Sequence, residues 1–358
     1  MNLLAIETSC DETAAAVVRD GREILSSHVS SQIALHAPHG GVVPELAARA
    51  HLEMLAPVVA AALGGVEGGW AAVDAIAVTR GPGLAGCLVV GAAYAQAAAR
   101  ARGLPITGVS HLAGHVYSAW LADAELEPPF VALVVSGGHT DTIELSRHGE
   151  ARRLASTRDD AVGEAFDKVA RMLGLPYPGG PVVERAALTG DPRAFPLPRT
   201  RLEGAFSFSG LKTAVRYAIR DLPAEEVDEH GIPRRAEVRD ALAAAFQEAA
   251  VTQLVDGLEA AVEETGATSV AVVGGVAANR ALAERVARRF TGLHVSVPPL
   301  RLCTEVDRLP RMTFHGSAGT PAVPEGSGES KTPRRGMGQS PTFGFPREKD
   351  GHSICPIS

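Results

Sequence analysis

His111-Leu-Ala-Gly-His115 sets two imidazoles four residues apart. On a helix this spacing puts both on one face, a turn apart, where one metal ion can take both. Ser110 is a good N-cap, so the pair is predicted in the first turns of a helix, after a short strand over residues 104–110. The plainer reading is two unrelated polar residues on a helix face. Apolar residues surround the pair, and a buried histidine needs a partner, which strengthens the metal reading.

Other stretches carry groups of matching interest. Thr8-Ser-Cys-Asp-Glu-Thr13 is a polar turn between apolar runs. Its hydroxyls and backbone N–H groups suit a phosphate, and Asp11 and Glu12 suit a metal or a proton; a solvated hairpin tip is the alternative. Arg80-Gly-Pro-Gly-Leu-Ala-Gly86 opens onto an alanine-rich segment. It is either a close backbone approach that leaves a helix N-terminus facing an anion or a tight structural turn. Residues 160–173 read as an amphipathic helix whose Glu164, Asp167 and Lys168 fix a hydroxylated ligand or form a solvated face. After Ser207-Phe-Ser-Gly-Leu-Lys212, the cations Lys212, Arg216 and Arg220 recur every four residues, with Arg199 and Arg201 upstream. This stripe is a solvated face or a contact for a phosphate backbone.

These groups need elements to hold them. Residues 2–7, 14–19 and 23–30 read as strands, with Asp20-Gly21 as a hairpin turn. Residues 36–41 read as a loop, 44–63 as a long helix and 75–79 as a buried strand. The pattern then recurs: an apolar strand over 130–135, the turn Ser136-Gly-Gly-His-Thr140, strands over 142–145 and 152–155, and His148-Gly149 between them. Residues 176–181 read as a loop. Each three-strand unit leads into a helix and later into a further strand, glycine turn and helix, the second of these over 270–275 and 276–290. Such halves predict a duplicated α/β domain with a ligand between two lobes.

Composition bounds the rest. With 358 residues there is room for two domains, and with 4% aromatics aliphatic side chains must fill the cores. A net charge of −7 excludes a uniformly basic nucleic-acid binder, though not a local basic groove. The short apolar run over residues 3–6 ends at Glu7 and is neither a signal peptide nor a membrane span. Cys10, Cys87, Cys303 and Cys355 are scattered, which predicts a reduced, cytoplasmic protein without a disulfide framework. Residues 305–358 are rich in Pro, Gly, Ser, Arg and Lys without apolar periodicity, and are expected to be disordered.

The order of the motifs is more specific than any one of them. Ile6-Glu-Thr-Ser-Cys-Asp-Glu-Thr13, Gly81-Pro-Gly-Leu84, His111-Leu-Ala-Gly-His115, Val135-Ser-Gly-Gly-His-Thr140, Tyr177-Pro-Gly-Gly-Pro181, Ser207-Phe-Ser-Gly-Leu-Lys-Thr213 and Gly274-Gly-Val-Ala-Ala-Asn279 occur in one chain. Together, over residues 1 to about 304, they closely resemble the TsaD family, also known as O-sialoglycoprotein endopeptidases. The resemblance implies the duplicated actin-like ATPase (ASKHA) fold shared with sugar kinases, with an N-terminal lobe over 1–110, a second lobe over 111–304 and an atypical tail over 305–358. It implies an acyltransferase that moves the threonylcarbamoyl group from threonylcarbamoyl-adenylate to the exocyclic amine of the adenosine beside the anticodon, in tRNAs reading codons that start with A. The implied partners are tRNA and TsaB-like and TsaE-like proteins, with no membrane.

Carried over by residue, the resemblance makes His111 and His115 two ligands of one divalent metal, iron or alternatively zinc. It makes Val134, Val135, Ser136, Gly137 and Gly138 the segment that binds the adenylate or another adenine nucleotide. Asp167, Gly180 and Asn279 match further substrate contacts, and Glu184 stands where some members have a binding aspartate. Asp11, Glu12 and His139 match positions near the reacting centre. The adenylate is already activated, so no nucleophilic side chain is needed, only positioning and charge stabilisation. A metalloprotease of the zincin kind needs glutamate after the first histidine, and this chain has Leu112. A small-molecule kinase of the same fold leaves the histidines without a task. The family continues after Leu302-Cys-Thr304 with Asp-Asn and an alanine-rich helix, the aspartate being a third ligand. Here Glu305-Val-Asp307 opens the tail. So abrupt a loss of resemblance is expected from a frameshift and predicts an impaired metal site, unless Glu305 or Asp307 substitutes. Translating the other two frames after the Thr304 codon checks this.

Overall fold

The computed structural model describes residues 1–198 and 204–299. Arg199, Arg201, Cys303, Glu305, Asp307 and the tail lie outside them.

The first lobe opens on β1 (Asn2–Glu7), β2 (Glu12–Arg19) and β3 (Glu23–Ser31), an antiparallel meander. Between β2 and β3, Asp20 and Gly21 both have positive φ, as the central pair of a type I′ turn requires, and Arg22 N–H donates to Arg19 O at 3.1 Å to close it. The expected loop at 36–41 contains short helical turns instead, α1 (Ile33–His36) and a 3-10 turn over Ala37–His39. Then come α2 (Pro44–Gly64), β4 (Ala75–Gly81), α3 (Ala85–Arg102) and β5 (Ile106–Ser110). The sheet order is β3-β2-β1-β4-β5. Helix α2 is long and apolar enough to cross a membrane, but its Leu55, Val58, Val59 and Leu63 are buried against Leu4, Ile6, Ile76 and Val78 of the sheet.

Helix α4 (His111–Ala122) follows β5 without a gap. The second lobe then repeats the plan with β6 (Phe130–Val135), β7 (Thr140–Arg147) and β8 (Glu150–Thr157). After them run α5 (Val162–Met172), α6 (Gly179–Ala187), the short β9 (Ala205–Phe206), α7 (Ser209–Arg220), α8 (Ala236–Thr265), β10 (Ser269–Val273), α9 (Arg280–Arg289) and β11 (His294–Ser296). Its order, β11-β10-β6-β7-β8-β9, is that of the first sheet with β9 added at one edge. The parallel and antiparallel pairings also correspond strand for strand. The duplication expected from the motif pattern is therefore a duplication of topology.

Strand alternation decides what each face buries. Val131, Leu133 and Val135 of β6 join a core with Phe166 of α5, Leu211 of α7, and Phe246 and Leu254 of α8. Phe130, Ala132 and Val134 face the other way, against Val116, Tyr117 and Trp120 of α4. The helix that leaves the first sheet thus packs on the second, which puts its N-terminal histidines where the lobes join. Residues 176–181 are not all loop: α6 starts at Gly179. Pro178 caps it, and Pro181 lies in its first turn, where a missing N–H takes nothing from the helix. The expected helix over 276–290 is two pieces. Asn279 is extended, at φ −65° and ψ 118°, and its side chain accepts from Leu282 N–H to start α9.

Candidate active site

The site residues gather where parallel strands end, the place at which open α/β sheets bind ligands. Glu7 closes β1, Ser110 closes β5, Val135 closes β6 and Val273 closes β10. The Ser110 hydroxyl accepts from Ala113 N–H at 3.4 Å, so the cap expected before the histidines is present.

His111 and His115 lie 4.7 Å apart, centroid to centroid, and the His139 ring is 5.6 Å from His111. Both helix histidines are buried. Behind His111 lies a carboxylate from the Ile6–Thr13 motif. Glu7 Oε2 is 3.3 Å from His111 Nδ1, and the Ser9 hydroxyl is 3.2 Å from the same nitrogen. Burial pushes the Glu7 carboxyl up, but hydrogen bonds from His111, Thr79 and Ser9 outweigh it and hold the group well below the usual carboxylate range. The sequence does carry a signal: a charge that continues an apolar strand must find buried partners. Adjacent imidazoles with a carboxylate behind one of them fit a divalent transition metal. Among the described residues no group of three His, Cys, Asp or Glu completes such a site.

The turn after β6 folds on itself. Ser136 N–H donates to His139 O at 2.9 Å, and His139 N–H to the Ser136 hydroxyl at 3.1 Å. Gly137 and Gly138 are exposed, and a Cβ on either meets nothing within 4 Å, so the turn has an open backbone face. Gly180 is likewise open. Val134 and Val135 are wholly buried in the two cores, so their side chains position the turn rather than meet a ligand. The turn after β4 approaches the first turn of the chain closely: Leu84 N–H donates to Ser9 O at 2.8 Å, and a Cβ on Gly83 would fall 2.7 Å from that oxygen.

The Asp11–Glu12 turn is pinned from behind. His51 Nε2 donates to Cys10 O at 2.9 Å, which leaves Nδ1 to accept from the Thr13 hydroxyl at 2.7 Å. Gln32 N–H donates to Asp11 O at 2.9 Å. His51, Gln32 and Thr13 are all buried; Thr13 ends the Ile6–Thr13 motif, while no motif marks Gln32 or His51.

Asp167 faces that turn from α5 of the second lobe. Its Oδ1 accepts from Gly179 N–H at 2.6 Å. A Cβ on Gly179 would fall 2.5 Å from Asp167 Cα, so only glycine allows the approach. Burial, with the charges of Asp11 and Glu164 adding, raises the Asp167 carboxyl to about 6 against the Gly179 hydrogen bond. Burial likewise pushes the Tyr177 phenol up, with Asp11 and Asp167 contributing. A carboxyl raised in the fold stabilises it below the unfolded pKa of about 4, and that contribution is lost as pH rises to about 6. Asp167→Asn is therefore expected to flatten the fall in stability between these pH values, by about 2–3 kcal/mol. Urea midpoints at both ends check it; equal pH slopes for the two proteins contradict it.

The remaining candidates have partners of their own. Asn279 caps α9 and donates to Gln247 Oε1 at 2.8 Å. Glu184 Oε1 accepts from Arg280 N–H at 2.7 Å, at the start of the same helix. The Lys212 ammonium is 2.7 Å from Asp160, which also binds Lys168. Arg216 and Arg220 are exposed and flank Tyr217, with guanidinium carbons 5.6 and 4.6 Å from its ring centroid, and Arg220 also pairs with Asp221.

Known proteins place this arrangement. Full-length HypF in its phosphate- and nucleotide-bound form and the HypF of T. kodakarensis superpose with TM-scores of 0.54 and 0.56 at 13% and 14% identity. Each match covers 86% of this chain, and 44% or 45% of the other, and shows the fold alone. That fold is the actin-like ATPase fold. The tRNA N6-adenosine threonylcarbamoyltransferase of Moorella thermoacetica is 51% identical over 309 residues, covering 85% of this chain and 88% of its own. That of Gloeobacter violaceus is 49% identical over 311 residues, covering 85% and 86%. The TsaD family, described as tRNA N6-adenosine threonylcarbamoyltransferase, matches residues 23–308. The chain belongs to the TsaD family.

Proposed function

We propose that this chain, working in the cytoplasm, transfers the threonylcarbamoyl group of threonylcarbamoyl-adenylate to the N6 amine of the adenosine beside the anticodon, in tRNAs reading codons that start with A. The observation that carries the reading is the meeting of the paired histidines with the open Ser136–His139 turn in a chain of this family. The reaction needs an amine set against an activated carbonyl, stabilisation of the developing oxyanion and a place for the departing AMP. The backbone of Ser136, Gly137 and Gly138, at the end of Val134 and Val135, holds the adenylate. Asp167, Gly180, Glu184 and Asn279 border it. Asp11, Glu12 and His139 act at the reacting centre, Asp11 and Glu12 on a turn fixed by His51 and Gln32. His111 and His115 would hold a divalent metal, iron or zinc, which supplies positive charge at the oxyanion when bound.

The tRNA contact is proposed on α7, through Lys212, Arg216 and Arg220. Arg216 and Arg220 around the exposed Tyr217 offer cations beside a ring on which a base can stack. Lys212 contributes less, since Asp160 already holds it. Replacing Arg216 and Arg220 by glutamine is expected to flatten the salt dependence of tRNA binding, by roughly one unit of slope for each phosphate no longer neutralised. An unchanged slope makes the stripe a solvated face. A TsaB-like partner is proposed for the first lobe, where Leu52 of α2 and Val89 of α3 are 68% and 66% exposed. A TsaE-like protein is the third member. Offering the labelled donor to tRNA, casein and a sugar panel tests the reading; label on casein or sugar and none on tRNA overturns it.

A further inference from the structure

We propose that Glu7 is a positioning residue that fixes the His111 ring as its Nδ1–H tautomer and so presents the Nε2 lone pair as the ligating atom. This rests on the metal reading above.

Glu7 is 2% exposed and ties three chain segments together at one point. Its Oε1 accepts from Ser9 N–H at 2.5 Å, and its Oε2 accepts from the Thr79 hydroxyl of β4 at 2.6 Å. The same Oε2 is 3.3 Å from His111 Nδ1, at the start of α4. A lone pair on Nδ1 would face a carboxylate oxygen, which is repulsive; a proton there makes a hydrogen bond. The Ser9 hydroxyl, 3.2 Å away, can donate or accept, so the carboxylate decides and the serine follows. Neutral imidazole carries one N–H, so the other nitrogen is then unprotonated. Histidines that bind metals commonly donate their second ring N–H to a carboxylate in this way, which fixes the ring and raises its basicity. Thr79 and Ser9 N–H in turn hold the carboxylate, so the ring is set from the ends of β1 and β4.

A purely structural role is the rival: Glu7 as a staple between β1, β4 and α4. Two readouts separate them. Nitrogen spectra of the metal-free protein labelled at histidine report which ring nitrogen of His111 carries the proton, and need no variant. Calorimetric titration with zinc alone compares the unaltered chain with Glu7→Gln and Thr79→Val. The proposal expects protonated Nδ1 in the unaltered protein, a roughly 10- to 100-fold weaker zinc affinity for Glu7→Gln, and a smaller loss for Thr79→Val, which keeps the carboxylate. A staple alone lowers the melting temperature of both variants and leaves zinc affinity unchanged, which overturns the proposal. So does a proton on Nε2 of His111. If the unaltered chain takes no zinc although Nδ1 is protonated, the metal reading has failed and the proposal falls with it.

Discussion

Replacing His111 and His115 together by alanine is expected to abolish metal binding and lower threonylcarbamoyl transfer by about 10²–10³-fold, the usual consequence of losing a main stabiliser of an oxyanion. The two substitutions are not equivalent. His111→Ala also takes a hydrogen-bond donor from Glu7, which is buried at 2% exposure. Leaving a buried charge short of a partner typically costs about 3–5 kcal/mol, partly offset here by Thr79 and Ser9 N–H. His115 lies one turn further along α4, so His115→Ala keeps the bond between His111 and Glu7 and separates loss of metal from loss of fold. Metal analysis, a urea melt and the transfer rate on each protein check this. Metal content equal to that of the unaltered chain contradicts the assignment.

Gly274→Ala is expected to destabilise the chain by about 3–5 kcal/mol, the range in which a core clash and backbone strain act together. Gly274 sits at φ +96°, and an added Cβ would collide with the carbonyl oxygen of Val135. That oxygen belongs to the end of β6, so relief of the clash must move either the turn after β10 or the Ser136–His139 turn. The adjacent Gly275 gives the control. Its Cβ would meet nothing within 4 Å, so Gly275→Ala is expected to leave stability within about 0.5 kcal/mol. Denaturant midpoints for the two variants test the contrast, and equal midpoints contradict it.

Much of this arrangement is legible in the sequence, for definable reasons. Short apolar runs and the turns between them along residues 2–30 and 130–155 disclose the duplicated plan, because an apolar run such as residues 130–135 and the Asp20-Gly21 or His148-Gly149 turns are local signals. Ser110 capping the histidine helix is local too. What escapes depends on contacts distant in sequence. Glu7 meets His111 across 104 positions, and His51 reaches Cys10 across 41; no spacing rule reports either. The basic stripe on α7 follows from period alone, which does not reveal that Asp160, 52 positions away, holds Lys212. The long helix α8 gives little periodic signal because alanines bury on several of its faces, among them Ala241, Ala243, Ala244 and Ala245. The start of α6 at Gly179 is hidden because Gly-Gly-Pro reads as a breaker unless its place in a first turn is known.

The central claim is the transfer to one adenosine. Its most direct measurement incubates the purified chain with TsaB-like and TsaE-like partners, a divalent metal, threonylcarbamoyl-adenylate labelled in the threonine and an unmodified tRNA that reads codons starting with A, then digests the tRNA to nucleosides. The account predicts label in N6-threonylcarbamoyladenosine, and none when the adenosine beside the anticodon is replaced by guanosine. Label that persists in the guanosine tRNA, or no labelled nucleoside with every component present, contradicts it.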